Sequence, residues 1–244
     1  MPTLDEWRIY YDGWSGRDPA LASTGHVVRD AEFRGLGAEL ATLLALQGDE
    51  NVLDVGCASG TLTSQWAHRA GRVVGVDFSV PLVVEAGKRH GADRRGFAAA
   101  EAARLPFADA TFDAVVCFNV LLSLPDAEYA ARAIGEILRV ARPGARVVLG
   151  SLPDRSKEEA FIANLAAAAP WHRRLGSKLK HVLVPQRAGR RSTKILWFDI
   201  ERLVEELERA NCAVAVVDDP CFANYHVYRK TVVAVTPLRV EVCA

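Results

Sequence analysis

The most constraining feature of this chain is a short apolar run that breaks into glycine. Asn51 to Val55 carries Val52, Leu53 and Val55, and Gly56-Cys-Ala-Ser-Gly60 follows at once. A brief apolar run bounded by a turn signal reads as a buried strand. Residues 61–70 then read as a helix, Arg72 to Val76 as a second strand, and Val80 to Arg89 as a second helix with Pro81 in its first turn. Strand, glycine turn, helix and strand in succession make a βαβ unit, which implies a parallel sheet with right-handed crossovers.

The alternation continues. Ala114 to Val120 reads as a strand and Asp126 to Val140 as an amphipathic helix. Arg142-Pro143-Gly144 stops that helix, and Arg146 to Ser151 is a further strand. Upstream, residues 31–47 repeat apolar side chains at helical spacing through Phe33, Leu36, Leu40, Leu43 and Leu44. Residues 1–30 show no clear period. Beyond residue 151 the pattern loosens: Ser156 to Ala169 looks helical and Pro170 to Lys194 irregular. Ile200 to Ala210 reads as a helix that Asp199 can cap. Ala213 to Val217 and Tyr228 to Val235 follow as strands with no helix between them, hence an antiparallel pair.

With 244 residues, half of them hydrophobic, the chain can bury one sizeable α/β core. Thirty basic and thirty acidic residues leave no overall pull toward nucleic acid or an anionic membrane. The five scattered cysteines form no CxxC pair and suggest neither a zinc site nor a disulfide framework. Met1 to Gly13 lacks the apolar stretch of a signal peptide, and Ala160 to Trp171 is too short to span a bilayer. The expectation is a cytoplasmic enzyme that binds no metal.

The loop Asp54-Val-Gly-Cys-Ala-Ser-Gly60 lies where open α/β sheets bind ligands, beyond the carboxyl ends of the strands. The next strand ends Val74-Gly-Val-Asp77, and a carboxylate at that tip can accept from both hydroxyls of a ribose. A dinucleotide fingerprint needs G-x-G-x-x-G, but Ala58 stands where the second glycine belongs. No Gly-Lys-Ser/Thr follows, so the loop is not a P-loop either.

Four segments together resemble the class I S-adenosylmethionine-dependent methyltransferases, closest to the small-molecule branch called type 11. They are Val52-Leu-Asp-Val-Gly-Cys-Ala-Ser-Gly60, Val73-Val-Gly-Val-Asp-Phe-Ser79, Ala100-Glu-Ala-Ala-Arg-Leu-Pro-Phe107 with Phe112-Asp113, and Leu138-Arg-Val-Ala-Arg-Pro-Gly144. The resemblance covers roughly residues 45–152 and implies S-adenosylmethionine as cofactor. Its implied fold is a Rossmann-like α/β sheet of seven strands, mostly parallel with an antiparallel last strand, with helices on both faces and an N-terminal helical lid. The implied divisions of this single domain are a lid (1–30), a cofactor-binding core (31–152), a basic cap insertion (153–198), and a C-terminal helix with the final strands (199–244).

The same resemblance assigns roles. Asp54, Gly56, Cys57, Ala58 and Gly60 would face the methionine part. Asp77 would take the ribose hydroxyls and Phe78 would pack on the adenine. Glu101 would accept from the adenine amino group, while the Ala102 N–H meets a ring nitrogen. Phe118 and Asn119 would line the floor near the sulfonium. Tyr10, Tyr11 and Trp14 would form the lid, where aromatic faces attract a cation. Three positions depart from the family. Glu101 stands where Asp is usual, Ala58 where Gly is frequent, and Leu121-Leu-Ser-Leu-Pro125 where many relatives carry histidines. Pro220-Cys221 is similar to the dipeptide of cytosine-C5 methyltransferases but falls at the wrong place in the chain.

The acceptor is the open question. A methyl acceptor such as a phenol gains from a base with a near-neutral pKa, which makes His226 and His172 the candidates. The stretch Ala160 to Phe198 holds no acidic residue but carries eight Lys and Arg between Arg173 and Lys194. An anionic small molecule is one reading of that field. RNA or a protein as acceptor is the first rival, although no RNA-binding module is visible. A non-methylating protein of the same fold is the second.

Overall fold

A computed structural model describes residues 3–16, 30–164, 195–218 and 226–238. Its centre is a seven-stranded sheet of order β3-β2-β1-β4-β5-β7-β6. The strands are β1 (Asn51–Val55), β2 (Arg72–Asp77), β3 (Arg95–Ala99), β4 (Phe112–Phe118), β5 (Ala141–Pro153), β6 (Ala213–Asp218) and β7 (Arg229–Val235). The first five run parallel, and β7 runs antiparallel to both β5 and β6. The order reverses at β1, between β2 and β4. That switch point is where a doubly wound sheet opens a crevice.

Alternation along each central strand divides the core into two faces. Leu53 and Val55, Val115 and Cys117, and Val147 and Leu149 point to one side. There they meet α5 (Ala127–Val140) and α6 (Ile200–Arg209), which bury Ile137, Ala133, Leu203 and Leu207. Val52, Ala114, Val116 and Val148 point to the other. They meet Leu36, Leu40 and Leu44, set by α2 (Asp30–Leu43), and Trp66 of the short helix α3 (Thr61–Trp66). The remaining helices are α1 (Leu4–Asp12) and α4 (Val80–His90).

The helix starts follow local chemistry. Asp126 accepts from the Tyr129 N–H at 2.7 Å, and Asp199 from the Arg202 N–H at 3.1 Å. Thr3 and Glu6 form a reciprocal capping box that begins α1.

Four sequence expectations shift. The segment Arg95–Ala99, unassigned from sequence, is β3; its Gly and Ala content hides a half-exposed edge strand. β4 spans Phe112–Phe118 rather than Ala114–Val120, because Asn119 turns to φ 60°. β5 starts at Ala141, directly where α5 stops, and Phe112 pairs with Ala141 across a register shift. The helix expected over 61–70 is α only to Trp66, then a 3₁₀ turn over Ala67–Arg69. Among the described residues no helix is long and apolar enough to cross a membrane. The irregular stretch from Pro170 to Lys194 and Pro220-Cys221 lie outside the described residues.

Ile137 is fully buried between α5 and the sheet. Ile137→Ala should cost about 2–5 kcal/mol of unfolding free energy, read as a lowered urea midpoint. A change below about 1 kcal/mol would show that this face of the core is not packed as described.

Candidate active site

The site is built at the carboxyl ends of β1, β2 and β4. After Val55 the chain makes a tight loop in which Gly56 (φ 80°), Ala58 (φ 47°) and Gly60 (φ 73°) all take left-handed backbone. A Cβ on Gly56 would lie 2.2 Å from Val120 Cγ2, so glycine is needed there for space as well as for φ. Ala58 holds the same kind of backbone with a side chain, which explains why glycine is the family's frequent choice at this position.

The loop is tied to β2. The Gly56 and Cys57 N–H groups donate to the Val76 carbonyl at 2.7 and 3.0 Å. Asp77 completes the join: one carboxylate oxygen accepts from the Ala58 N–H and the other from the Ser79 N–H, each at 2.9 Å. Asp77 is 7 % exposed, and burial raises its pKa to about 6 although three backbone N–H groups oppose the shift. Beneath the loop, Asp54 accepts from the Thr63 hydroxyl at 2.5 Å, and burial raises its pKa to about 7, with the Asp77 charge adding to the effect.

Above the loop lies a cavity of about 890 Å³ including its mouth. Helix α1 forms its roof. Leu4, Trp7 and Tyr11 line it from one helical face, and Trp14 from the turn that follows. The roof is fastened at several points. Arg8 pairs with Glu101 at 3.0 Å, the Tyr11 hydroxyl donates to Ser123 Oγ at 3.0 Å, and Ser79 Oγ donates to Asp12 at 2.5 Å. The Gly16 N–H donates to Glu85 at 2.8 Å. Tyr11 also meets Phe78 edge-on, with centroids 5.8 Å apart.

The structure brings most of the sequence-derived residues to this cavity. Gly56, Ala58, Asp77, Phe78, Ala102, Phe118, Asn119 and Tyr11 line it, as do Tyr10 and Trp14. Cys57 and Asp54 sit behind the loop instead, and Gly60 caps α3. Cys57 is buried and its thiol is pushed well above its ordinary pKa by burial, so it fills space as a neutral thiol. Glu101 is not among the lining residues: Arg8 takes one oxygen, and the Tyr129 hydroxyl donates to the other at 3.4 Å. His172 and the basic run 173–194 lie outside the described residues. His226 opens a short 3₁₀ turn before β7, and its side chain is not described.

Sequence reasoning missed Trp7, Ser123, Tyr129 and Arg229. The Thr3-x-x-Glu6 box and the i, i+3, i+7, i+10 spacing of Leu4, Trp7, Tyr11 and Trp14 would have exposed α1 and its inward stripe. Arg229 carried no local signal. It reaches from β7 to Asn119 Oδ1 (2.9 Å) and Ser151 Oγ (2.6 Å), two residues held at φ near 60°.

Residues 53–149 match the family described as "Methyltransferase domain". The core of the chain is thus similar to that family over those residues. A demethylmenaquinone methyltransferase of Thermobifida fusca is 36% identical over 140 residues, covering 55% of this chain and 58% of that protein. The O-methyltransferase cnsE of Penicillium expansum is 35% identical over 140 residues, or 55% of this chain and 48% of that protein. The chain thus spans about half the length of these curated relatives. Among solved structures, the N-methyltransferase NodS of Bradyrhizobium japonicum with S-adenosylhomocysteine aligns with a TM-score of 0.62, at 20% identity, over 94% of this chain and 98% of that one. At that identity the likeness is one of fold.

The two raised carboxylates of this site make a pH prediction. In the unfolded chain both would titrate near 3.9. A folded pKa of about 6 or 7 means that the folded protein prefers the protonated forms. The resulting penalty on stability is full above about pH 7 and is relieved as pH falls toward about 4. Thermal melts of ligand-free protein should therefore show less stability at pH 8 than at pH 6. Asp54→Asn should flatten that difference; an unchanged difference in the variant would contradict the assignment.

Proposed function

We propose that this chain transfers the methyl group of S-adenosylmethionine to an O, N or C atom of a small-molecule acceptor by in-line displacement. The observation that carries the reading is Asp77, a buried carboxylate at the tip of β2 that fastens the glycine loop and still faces the cavity. Its oxygens accept backbone N–H groups from the loop and from Ser79, and the carboxylate still faces the cavity, where a ribose hydroxyl can donate to it. The rest of the lining suits the same ligand: Gly56 leaves backbone bare, while Phe78 and Ala102 give a flat apolar wall for a base. The demethylmenaquinone methyltransferase among the relatives supports a small molecule as the substrate class.

S-Adenosylmethionine, when bound, supplies a methyl group already activated by a sulfonium. The protein's task is then to position the acceptor and exclude water. Asp77 and the Gly56–Gly60 loop hold the cofactor, α1 closes the cavity against solvent, and the aromatic rings of Tyr10, Tyr11 and Trp14 favour a cation beneath them. A roofed cavity favours a small acceptor over a nucleic acid or a folded protein. Asp77 is the one charged side chain among the described lining residues, so any anionic part of the acceptor would have to reach the basic segment 173–194.

Deprotonation of the acceptor is assigned to His226 or His172. His226 is favoured because Arg229, three residues on, already reaches Asn119 on the cavity wall. His226→Asn should lower kcat by about 100-fold and leave S-adenosylhomocysteine affinity intact; an unchanged kcat would remove it from the mechanism.

Calorimetric titration with S-adenosylmethionine and S-adenosylhomocysteine tests the central reading. Asp77→Asn should weaken binding by about 10-fold or more, since it removes a charged acceptor. Wild-type affinity should fall as pH drops below about 6, where Asp77 takes up a proton. Absence of binding, or equal binding by the variant, would overturn the reading.

A further inference from the structure

One fastening of the roof ends at the wall proposed for the base. That wall is Phe78 and Ala102, with Ala100 also lining the cavity, and Glu101 stands between the two alanines in sequence. Both carboxylate oxygens of Glu101 are engaged by the protein. Arg8 Nη2 donates to Oε1 at 3.0 Å, and the Tyr129 hydroxyl donates to Oε2 at 3.4 Å. The same Arg8 guanidinium stands over the Phe78 ring, with Cζ 6.0 Å from the centroid, at the reach of a cation–π contact.

One planar donor group therefore takes two contacts at once, a ring and a carboxylate. An aminopurine is also planar, and its exocyclic amino group is also a donor. Base and guanidinium compete for the same pair of partners.

Arg8 is built to let go. Its side chain is 39 % exposed and that of Glu101 41 %, so water competes for both ends and the pair is weak. Asp5, three residues back on the same helical face, has Oδ1 3.6 Å from Arg8 Nη1. A guanidinium released from Glu101 thus keeps a carboxylate beside it. The bonds from Tyr11 to Ser123 and from Ser79 to Asp12 do not involve Arg8, so α1 stays fastened when that pair opens.

We propose that Arg8 is a built-in competitor for the base: in the ligand-free protein its guanidinium holds Glu101 and covers Phe78, and the nucleoside enters by displacing it. This rests on the methyltransferase reading and adds how the cofactor is admitted to that site. The exchange moves no proton. Glu101 trades a guanidinium N–H for an amino N–H, and Arg8 turns to Asp5.

The test is calorimetric titration of the full chain with S-adenosylhomocysteine, whose own charges sum to zero near pH 7. Arg8→Met keeps the length of the side chain but removes the competitor, and should tighten binding about threefold, the scale of an exposed ion pair. In a Glu101→Gln background the same substitution should change affinity by less than about 1.5-fold, because the contested charge is gone. The wild-type protein gives a reading that needs no variant to fold: raising NaCl from about 0.05 to about 0.5 M should tighten binding about twofold by screening the Arg8–Glu101 pair. Equal or weaker binding by Arg8→Met, or a wild-type affinity that salt leaves unchanged or lowers, would overturn the proposal and leave the methyltransferase reading standing. Failure of the wild-type chain to bind S-adenosylhomocysteine at all would overturn that earlier reading and this one with it.

Discussion

Two hydrogen bonds from one carboxylate organise this molecule's working end. Asp77 stands at the tip of β2, yet its oxygens hold the Ala58 N–H of one crossover and the Ser79 N–H of the next. Without that bridge the three left-handed residues of the glycine loop would rest on backbone bonds alone, chiefly those to the Val76 carbonyl. The bridge also explains the electrostatics. Packing a carboxylate under a roof of aromatic rings raises its pKa, and backbone N–H groups recover only part of the lost hydration. A second carboxylate, Asp54, lies below in the same apolar surroundings. The site thus stores unfavourable solvation that a hydroxyl-bearing ligand can relieve.

Much of this was legible in the chain because it is local. The glycine spacing, the Val-Gly-Val-Asp strand end and the helix caps all act within a few residues, and parallel strands with right-handed crossovers follow from the βαβ rules. What escaped reading was non-local. β3 has few branched or aromatic residues, since it stands half-exposed near the sheet's edge, and so carried no strand signal. Glu101 stands in the segment that resembles the family, but its partner Arg8 comes from 93 residues away, and that ion pair occupies one of its carboxylate oxygens. Arg229 meets Asn119 from 110 residues away. No window of sequence reports such meetings.

The cavity divides by origin. Its floor comes from the sheet and its loops, with backbone geometry fixed by ladders on both sides. Its roof comes from α1, whose inward stripe is aromatic and whose outward residue Ile9 is 75 % exposed. Floor and roof answer different chemical demands: the floor offers one carboxylate and bare backbone, the roof rings and hydroxyl groups. The same cavity therefore offers two chemically unlike surfaces to whatever it holds.

The fastening of α1 has a consequence for how such a chain changes over generations. No strand ladder joins this helix to the core; the described bonds are side-chain ones, Arg8 to Glu101, Tyr11 to Ser123, Asp12 to Ser79 and Glu85 to the loop at Gly16. Each can be lost or exchanged singly without disturbing the register of a strand. Change in the first sixteen residues can thus re-tailor what the cavity admits, while the sheet and the loop that Asp77 fastens keep their geometry.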